Sequence, residues 1–412
     1  MQDFDPNIKQ INGPVNVVRM EGRIHGIKKV IYVFMDYHEP VTQQTECTNL
    51  FSKDVHKYFI DTFYELNKTF NTYDFFMETR PTEMFDEIPP NMPNYKYNYI
   101  NQIVKLFQKI FSFDKEKNKV NIPDLFKNIR LHYLDVRDYF KHHMMFKLLY
   151  INDITASFMV QYQIRVSSLS QIVDILKYIK EHLQNVINIL STNVYTEPAT
   201  KPVVLKHKDL EALDEEVIKR LSYKMRQRYN DKDIKNKLNK ILDEIIDKFV
   251  GIIKDIDVAI NDFTYYGSTI INADSKLIKD DNHPYIYVYG LSSYTVREFI
   301  KDIIDKTQRI YDIFVRTFAN LTDVYFLRRF LDKDYITNAI VYAGATHSGL
   351  YINILVNHFD FEITHVSYSK ISDIKELMEE IKKQNMDSLY QFFSPPILKQ
   401  CSDMTDFPEN FL

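Results

Sequence analysis

The sequence predicts an α/β protein in which a mainly parallel sheet, flanked by helices, is interrupted by a large central helical insertion. Three observations support this prediction. Apolar, β-branched runs alternate with amphipathic segments in residues 1–138, residues 139–329 are mainly helical in pattern, and residues 330–412 return to the alternating pattern. Strands that alternate with helices are typical of a parallel sheet covered by helices, so the two outer parts are predicted to form one domain.

The first part contains the predicted elements of one half of the sheet. Gly22 and Gly26 separate the first two apolar runs and are expected to lie in a turn-rich loop. A proline-rich segment, residues 81–93, is expected to be a loop, because proline cannot donate a backbone hydrogen bond. The predicted strands cover residues 15–18, 29–35, 73–77 and 129–134, and the predicted helices cover residues 50–70 and 97–111.

The central insertion is predicted to be strongly helical, with amphipathic stretches at residues 172–190 and 238–256 and a further helix at 294–330. Residues 195–213 are interpreted as a linker, and residues 264–289 as loop-like with aromatic strand fragments. The basic segment 219–240 is diluted by acidic residues, so it is interpreted as a solvated helix face rather than a nucleic-acid patch. The last part is predicted to hold strands at 338–342 and 361–367 and helices at 350–359 and 373–383.

Composition excludes several classes of function. The chain has 412 residues, a net charge of −4 and only 8 glycines, and it contains no Gly-rich phosphate loop. Nucleotide binding by the usual routes and binding to nucleic acid are therefore disfavoured. The longest apolar runs have the length of strands, so no membrane span is expected. A polar N-terminus without a secretory leader and only two cysteines, Cys47 and Cys401, favour a reducing, cytoplasmic location.

The residues that follow each predicted strand are the candidates for chemistry. In open α/β sheets, ligands bind beyond the carboxyl ends of the strands. Histidine can act there as a base or metal ligand, carboxylates can orient it or share the metal, and arginine can hold an anionic intermediate. The candidates are Asp36 and His38 after the first parallel strand, Glu78 after the second, Asp135 and Arg137 after the third, and His347 after the last.

Each candidate also has a structural interpretation. Glu78 could cap a helix or pair with Arg80, and Asp135 could pair with Arg137. Thr346 and Ser348 are N-cap candidates for the helix expected at residues 350–359. The four equivalent strand-end positions favour the functional interpretation.

Other motifs are weaker. His142 and His143 are adjacent on a predicted helix and point in different directions, so they cannot form an i,i+4 metal pair. The two cysteines have no local Cys-x-x-Cys partner, which disfavours a zinc or redox motif. The absence of a Gly-x-Ser-x-Gly element disfavours a serine hydrolase.

The order of these motifs resembles the erythromycin esterase/ChaN/TraB–Tiki superfamily. Its members begin with Gly-Glu-x-His, have a later strand that ends in Glu, and close with Gly-x-x-His. Here the elements are Met35-Asp36-Tyr37-His38, Phe76-Met77-Glu78 and Gly344-Ala345-Thr346-His347. The first departs from the pattern, because Met replaces Gly and Asp replaces Glu. The resemblance covers about 200 residues at the two ends and does not include the insertion.

The resemblance implies a hydrolase with one of two chemistries. The Tiki branch looks like metal-dependent peptidases, and the esterase branch opens a lactone with histidine as the base and no metal. His38 would be general base or metal ligand, Glu78 its partner or second ligand, and His347 the second histidine, with Asp36 and Asp135 as supporting acids. A metal site would bind a divalent ion such as Mn²⁺, Co²⁺ or Zn²⁺, and the substrate would be a small molecule or a peptide.

A non-enzymatic structural or interaction protein on a degenerate hydrolase-like fold is the alternative. The scarcity of glycine, the altered first motif and the long insertion favour it. The abundance of Ile, Lys, Asn, Tyr and Phe is typical of A/T-rich genomes, including those of large DNA viruses. For a viral protein, the expected location is the host cytoplasm or the virion.

Overall fold

The computed structural model describes residues 6–43, 45–79, 98–114, 119–137, 140–192, 215–277, 291–383, 389–397 and 399–411. Its strands are β1 (Gln10–Asn12), β2 (Asn16–Ile24), β3 (Ile27–Asp36), β4 (Lys53–Asp54), β5 (Tyr73–Met77), β6 (Ser112–Asp114), β7 (Lys119–Asn121), β8 (Ile129–Tyr133), β9 (Asn338–Gly344), β10 (Glu362–Val366) and β11 (Cys401–Asp403). Its helices are α1 (Val55–Leu66), α2 (Tyr99–Ile110), α3 (Phe146–Gln161), α4 (Val166–Ser191), α5 (Glu215–Arg226), α6 (Lys232–Leu277), α7 (Ser293–Asp332), α8 (Ala345–Phe359), α9 (Ile374–Lys383) and α10 (Tyr390–Phe393). The predicted α/β class is confirmed.

A six-stranded sheet of order β10-β2-β3-β9-β5-β8 forms the centre of the described fold. The pairings of β3 with β9, β9 with β5 and β5 with β8 are parallel. Those of β10 with β2 and β2 with β3 are antiparallel, so the sheet as a whole is mixed. The four adjacent parallel strands end at the same side of the sheet, and this arrangement positions the candidate site.

The strand β2 is longer than predicted, and the reason lies at two glycines. Gly22 is not in a loop but inside β2, where an added Cβ would lie 2.6 Å from the ring of Phe361. The turn itself is confined to His25 and Gly26, which have φ values of 49° and 83°. Positive φ at both central residues is typical of the tight turns that join antiparallel strands. The hairpin therefore fixes β2 antiparallel to β3.

Side chains from the two faces of the sheet enter two different cores. In β3, Val30, Tyr32 and Phe34 pack on one side with Phe59 of α1 and Phe107 of α2. The alternating residues Ile31, Val33 and Met35 pack on the other side with the helices of the central part of the chain. This alternation follows from the two-residue period of a strand. Helices thus cover both faces, as expected for a largely buried sheet.

The described regular elements of residues 140–332 are all helical, as predicted for the insertion. One expectation was wrong: residues 264–277 are not a loop but the last turns of α6. Tertiary packing explains this, because Tyr266 stacks on Phe299 of α7 with ring centroids 4.1 Å apart. The α7 helix then reaches the sheet, where Phe326 contacts Phe76 of β5 at a ring distance of 5.0 Å. No described helix is long and apolar enough to cross a membrane.

A small sheet of order β11-β1-β4 lies beside the main one and holds a disulfide bond. Cys47 is bonded to Cys401, although 354 residues separate them in the sequence. The sequence did not indicate this bond, because the fold brings the partner cysteine from the other end of the chain. The predicted loop at 81–93 and linker at 195–213 lie outside the described residues, as does Arg80.

Candidate functional site

The residues predicted from the strand ends lie together at the carboxyl ends of the parallel strands. The registers that align these ends pair Asp36 with Gly344 and Met77 with Tyr342 and Tyr133. A candidate side chain follows the end of each of these four strands by one to four residues. All six predicted residues are thereby brought into one cluster, namely Asp36, His38, Glu78, Asp135, Arg137 and His347.

Asp36, two residues before His38, contacts both the backbone and the ring of His38. Asp36 Oδ1 accepts the backbone N–H of His38 at 2.9 Å, and Oδ2 lies 3.5 Å from His38 Nδ1. Asp36 also accepts the hydroxyl of buried Tyr342 at 3.1 Å. His38 has a φ of 59°, a conformation that a local side-chain hydrogen bond to the backbone stabilises. Asp36 therefore orients both the backbone and the ring of His38.

Glu78 is the centre of the cluster, and each of its oxygen atoms has two contacts. Oε2 lies 3.3 Å from His38 Nε2 and accepts the Gly344 N–H at 2.7 Å. Oε1 lies 3.0 Å from His347 Nε2 and accepts from Arg137 Nη2 at 3.1 Å. A Cβ on Gly344 would come within 3.1 Å of His38 Nε2 and 3.2 Å of Glu78 Oε2. Glycine at this position therefore allows the backbone to approach the carboxylate.

His347 connects this cluster to the long helix α7. Its Nδ1 lies 2.6 Å from Oδ1 of Asp323, a fully buried residue in the second half of α7. The residues Asp36, His38, Glu78, His347 and Asp323 therefore form an alternating series, which we call the acid–histidine chain. Carboxylate oxygens face both ring nitrogens of His347, an arrangement that favours a hydrogen on each nitrogen and hence the positively charged imidazole.

Arg137 and Asp135 close the cluster on the β8 side. Asp135 Oδ1 accepts from Arg137 Nε at 2.8 Å and from the Arg137 backbone N–H at 3.0 Å. The structural pairing anticipated for these two residues is therefore present, and Arg137 additionally reaches Glu78. Thr346 and Ser348 do not cap a helix as expected, because α8 begins earlier, at Ala345.

The charges of the cluster shift several pKa values. Burial alone would lower the pKa of both histidines, but their carboxylate partners outweigh it. Asp36 and Glu78 raise the pKa of His38 to about 10, and Asp323 and Glu78 raise that of His347 to about 10. Burial opposes ionisation of Glu78, yet the two histidines hold its pKa well below the usual range. Burial raises the pKa of Asp323.

Exposure separates one residue from the others. The His38 side chain is 35% exposed, whereas those of Glu78 and His347 are 8% and 6% exposed. The His38–Glu78 contact, at 3.3 Å, is also the longest hydrogen bond to Glu78. His38 is therefore the most exposed of these three side chains, although its Nδ1 atom is buried and its Nε2 atom faces Glu78.

The predicted ligand set does not fit a metal ion in this arrangement. His38 Nε2 and His347 Nε2 each face a different oxygen of Glu78 at hydrogen-bond distance, and Arg137 brings a further positive charge to the same carboxylate. Among the described residues, no group of three or more His, Cys, Asp or Glu side chains is arranged to hold a metal. The geometry is that of shared hydrogens rather than of converging metal ligands.

Other candidates have structural surroundings. His143 Nδ1 lies 3.1 Å from the Tyr178 hydroxyl, and its ring stacks on His182, while the side chain of His142 lies outside the described part. His132, which precedes Asp135, pairs with Asp74 at 2.6 Å instead of entering the cluster. Two cavities of about 480 and 720 Å³ lie in the helical part of the chain, away from the cluster.

Asp323 is absent from the residues predicted for the site, although its contact with His347 is as short as any in the cluster. The signal was present as a single acid inside an apolar helical stretch, between Thr322 and Val324. A charged residue that is fully buried usually has a charged partner. That partner lies on another element, so helical spacing alone could not name it.

Comparison with known proteins identifies relatives but no activity. The profile of a family of unknown function, DUF5847, matches residues 9–412. Three proteins of Acanthamoeba polyphaga mimivirus are similar over nearly their whole length. Uncharacterized protein R706 is 45% identical, covering 99% of this chain and 98% of its own. Uncharacterized proteins R160 and R161 are 34% and 35% identical, covering 99% of both chains and 100% of both chains, respectively. No solved structure matches the chain significantly.

Proposed function

The chain belongs to the DUF5847 family, whose function is unknown, and we propose that it is a hydrolase-like enzyme with His38 as its general base. The main support is the acid–histidine chain, in which one partly exposed imidazole is backed by buried carboxylates. The order of the motifs supports the same proposal, because it resembles that of the erythromycin esterase/ChaN/TraB–Tiki superfamily. The substrate class is a small-molecule ester or lactone, or a peptide.

The proposed chemistry follows the logic of other histidine–carboxylate sites. Neutral His38 accepts a proton from the attacking water and returns it to the leaving group. Asp36 and Glu78 stabilise the imidazolium that forms, as a carboxylate does for the histidine of a catalytic triad. Arg137 offers positive charge near the negative charge that develops on the substrate. Because the carboxylates raise the pKa of His38 to about 10, the active neutral form is scarce at pH 7.

This proposal uses no metal ion. The metal-dependent version would require His38, Glu78 and His347 to leave their mutual hydrogen bonds and converge on an ion. It predicts that Mn²⁺, Co²⁺ or Zn²⁺ raises the melting temperature of the purified protein and that a chelator abolishes hydrolysis. The proposal predicts no change from either treatment.

The test is hydrolysis of chromogenic esters, lactones and fluorogenic peptides by the wild type, His38→Asn and His347→Asn, between pH 6 and 10. Rates are expected to rise with pH as His38 loses its proton, and to fall at least a hundredfold in His38→Asn. His25→Asn is the matched control, because His25 is exposed and pairs with Asp231 far from the cluster. If no substrate class is turned over faster by the wild type than by His38→Asn, the hydrolase proposal is refuted.

A second candidate, a non-enzymatic structural or interaction protein, is favoured by one observation. Most of the carboxylate oxygens of the cluster already accept hydrogen bonds from its other members, an arrangement that also suits a purely structural role in joining four strand ends. In this case His38→Ala leaves the biological role intact, while substitutions on the surface of the helical part abolish it.

The proposed location is the virion or the host cytoplasm. The relatives are viral, and a disulfide between Cys47 and Cys401 is typical of proteins that meet oxidising conditions, including virion surfaces. This bond favours the virion over the reducing cytoplasm.

A further inference from the structure

Asp323 is a buried carboxylate whose one well-formed hydrogen bond faces the site. Its Oδ1 pairs with His347 Nδ1 at 2.6 Å. Its Oδ2 is also buried, and the buried hydroxyl of Tyr351 interacts with the same carboxylate, although neither atom forms a hydrogen bond of normal geometry with a described residue. A buried charge with a weakly bonded oxygen costs stability, and apolar residues of similar size often replace buried ion pairs without loss. Burial also raises the pKa of Asp323, which reflects the same cost.

A second buried acid shows what a structural carboxylate looks like in this protein. Asp74 of β5 pairs with His132 at the same distance, 2.6 Å. Both of its oxygens are used, because Arg130 donates to Oδ1 from Nε and to Oδ2 from Nη2. Asp74 is therefore saturated, whereas Asp323 is bonded on the side that faces the site.

The contact between Asp323 and His347 affects the orientation of Glu78. By accepting the Nδ1 hydrogen, Asp323 fixes the rotation of the His347 ring, so the Nε2 hydrogen points at Glu78 Oε1 at 3.0 Å. This contact in turn holds Glu78 with its other oxygen towards His38. Without Asp323, the His347 ring could turn, and Glu78 would keep only Arg137 on Oε1.

We propose that Asp323 is a positioning residue of the site: through His347 it orients Glu78 towards His38, although it lies in α7, within the helical part of the chain. This inference rests on the proposed function, because positioning matters only if His38 performs chemistry. It makes the long helix a component of the site rather than an independent insertion. A displacement of about 1 Å at a reacting group can cost about a hundredfold in rate, so a remote anchor of this kind has a measurable effect.

The experiment is NMR of the full chain with ¹⁵N-labelled histidines, comparing the wild type, Asp323→Ala and Asp323→Asn. The Nδ1 and Nε2 signals of His347 are expected to lose their hydrogen-bonded shifts in Asp323→Ala. The ring signals of His38, which does not touch Asp323, are expected to shift as well. Asp323→Asn should restore both in part, because its amide oxygen can still accept the Nδ1 hydrogen.

Asp74→Ala is the matched control, because it removes a buried acid that also lies 2.6 Å from a histidine. It is expected to change His132 and leave His38 unchanged. The inference is overturned if His38 is unaffected in a folded Asp323→Ala protein, or if Asp74→Ala shifts His38 equally. If Asp323→Ala does not fold, Asp323→Leu replaces it, because leucine restores the core packing. Unchanged His347 and His38 signals in Asp323→Leu then overturn the inference.

Hydrolysis separates this inference from the proposed function. With a substrate that the wild type hydrolyses, kcat is expected to fall at least tenfold in Asp323→Ala, with KM nearly unchanged. If the wild type hydrolyses nothing, the proposed function fails, while the NMR signals still decide whether Asp323 positions the acid–histidine chain.

Discussion

Replacing Glu78 by glutamine tests the centre of the acid–histidine chain, because it keeps the size of the side chain and removes its charge. Four donors share the two oxygens: His38 and the Gly344 N–H on one, and His347 and Arg137 on the other. A glutamine amide has a single oxygen, so its NH₂ group must face one of these pairs. Donors then face donors, and two hydrogen bonds are lost.

The magnitude follows from these contacts. A hydrogen bond that involves a charged group is worth about 1.5–3 kcal/mol, so two lost bonds predict a decrease of about 3–6 kcal/mol in the free energy of unfolding. Breaking one partner of a buried ion pair costs about 3–5 kcal/mol, which agrees with this range. The lower end is expected, because His38 is 35% exposed and water can replace its contact.

The loss should depend on pH. Both His38 and His347 have a pKa raised from 6.5 to about 10 in the folded protein. A raised histidine pKa contributes stability that is fully present below pH 6.5 and is lost as the pH rises through 10. Because Glu78 contributes to both shifts, the difference between wild type and Glu78→Gln is expected to be largest near pH 6 and to shrink towards pH 10.

The assay is urea denaturation followed by far-UV circular dichroism at pH 6, 8 and 10. Glu65→Gln is the surface control, because Glu65 pairs with Lys68 in an exposed i,i+3 bridge, and it should change stability by less than about 0.5 kcal/mol. A loss below about 1 kcal/mol at pH 6 in Glu78→Gln, or a loss that grows with pH, would refute the assignment of Glu78 as the charged centre of the cluster.

Three further predictions concern a buried lysine, two glycines and the disulfide bond. Lys29→Met is expected to lower the free energy of unfolding by about 2–4 kcal/mol at pH 7 in urea denaturation, because the buried ammonium donates to three backbone carbonyls near the end of α7. Gly344→Ala should shift the NMR signals of the site histidines and reduce hydrolysis at least tenfold, because the added Cβ lies 3.1 Å from a ring nitrogen of His38. Gly251→Ala is its control. The added Cβ there has no atom within 4 Å, so this variant should stabilise α6 by about 0.5–1 kcal/mol in thermal unfolding. Replacing Cys47 and Cys401 by serine should cost about 2–4 kcal/mol, and mass spectrometry should find both cysteines blocked to alkylation before reduction; alkylation without reduction would contradict the disulfide.

The strand ends could be predicted because the relevant information is local. An apolar run such as residues 30–35 followed by Asp36 and His38 indicates both a buried strand and the polar residues that leave it. Because neighbouring strands of the sheet are parallel, these ends lie at the same edge, and no contact between distant residues has to be known in advance. Where the prediction depended on one strand and its next few residues, as for Glu78 and His347, the structure places the side chain in the cluster.

The features that were missed depend on contacts between distant parts of the chain. Asp323 belongs to the site only through its contact with His347, which lies on a different helix, α8, after strand β9. Cys401 meets Cys47 only because β11 pairs beside β1. The aromatic segment at the end of α6 is helical because Tyr266 stacks on Phe299 of the neighbouring helix α7. Local propensity is a weak guide wherever tertiary packing selects the conformation.

The altered first motif, Met35-Asp36, keeps close contacts with His38. Asp36 is shorter than the glutamate of the superfamily pattern, but it accepts the His38 backbone N–H and the Tyr342 hydroxyl and lies 3.5 Å from the ring. The side chain of Met35 packs in the core on the helical face of the sheet. For His38 as the proposed general base, the contact to examine is therefore the one with Glu78 at 3.3 Å, because Glu78 is also bound by His347, which pairs with Asp323.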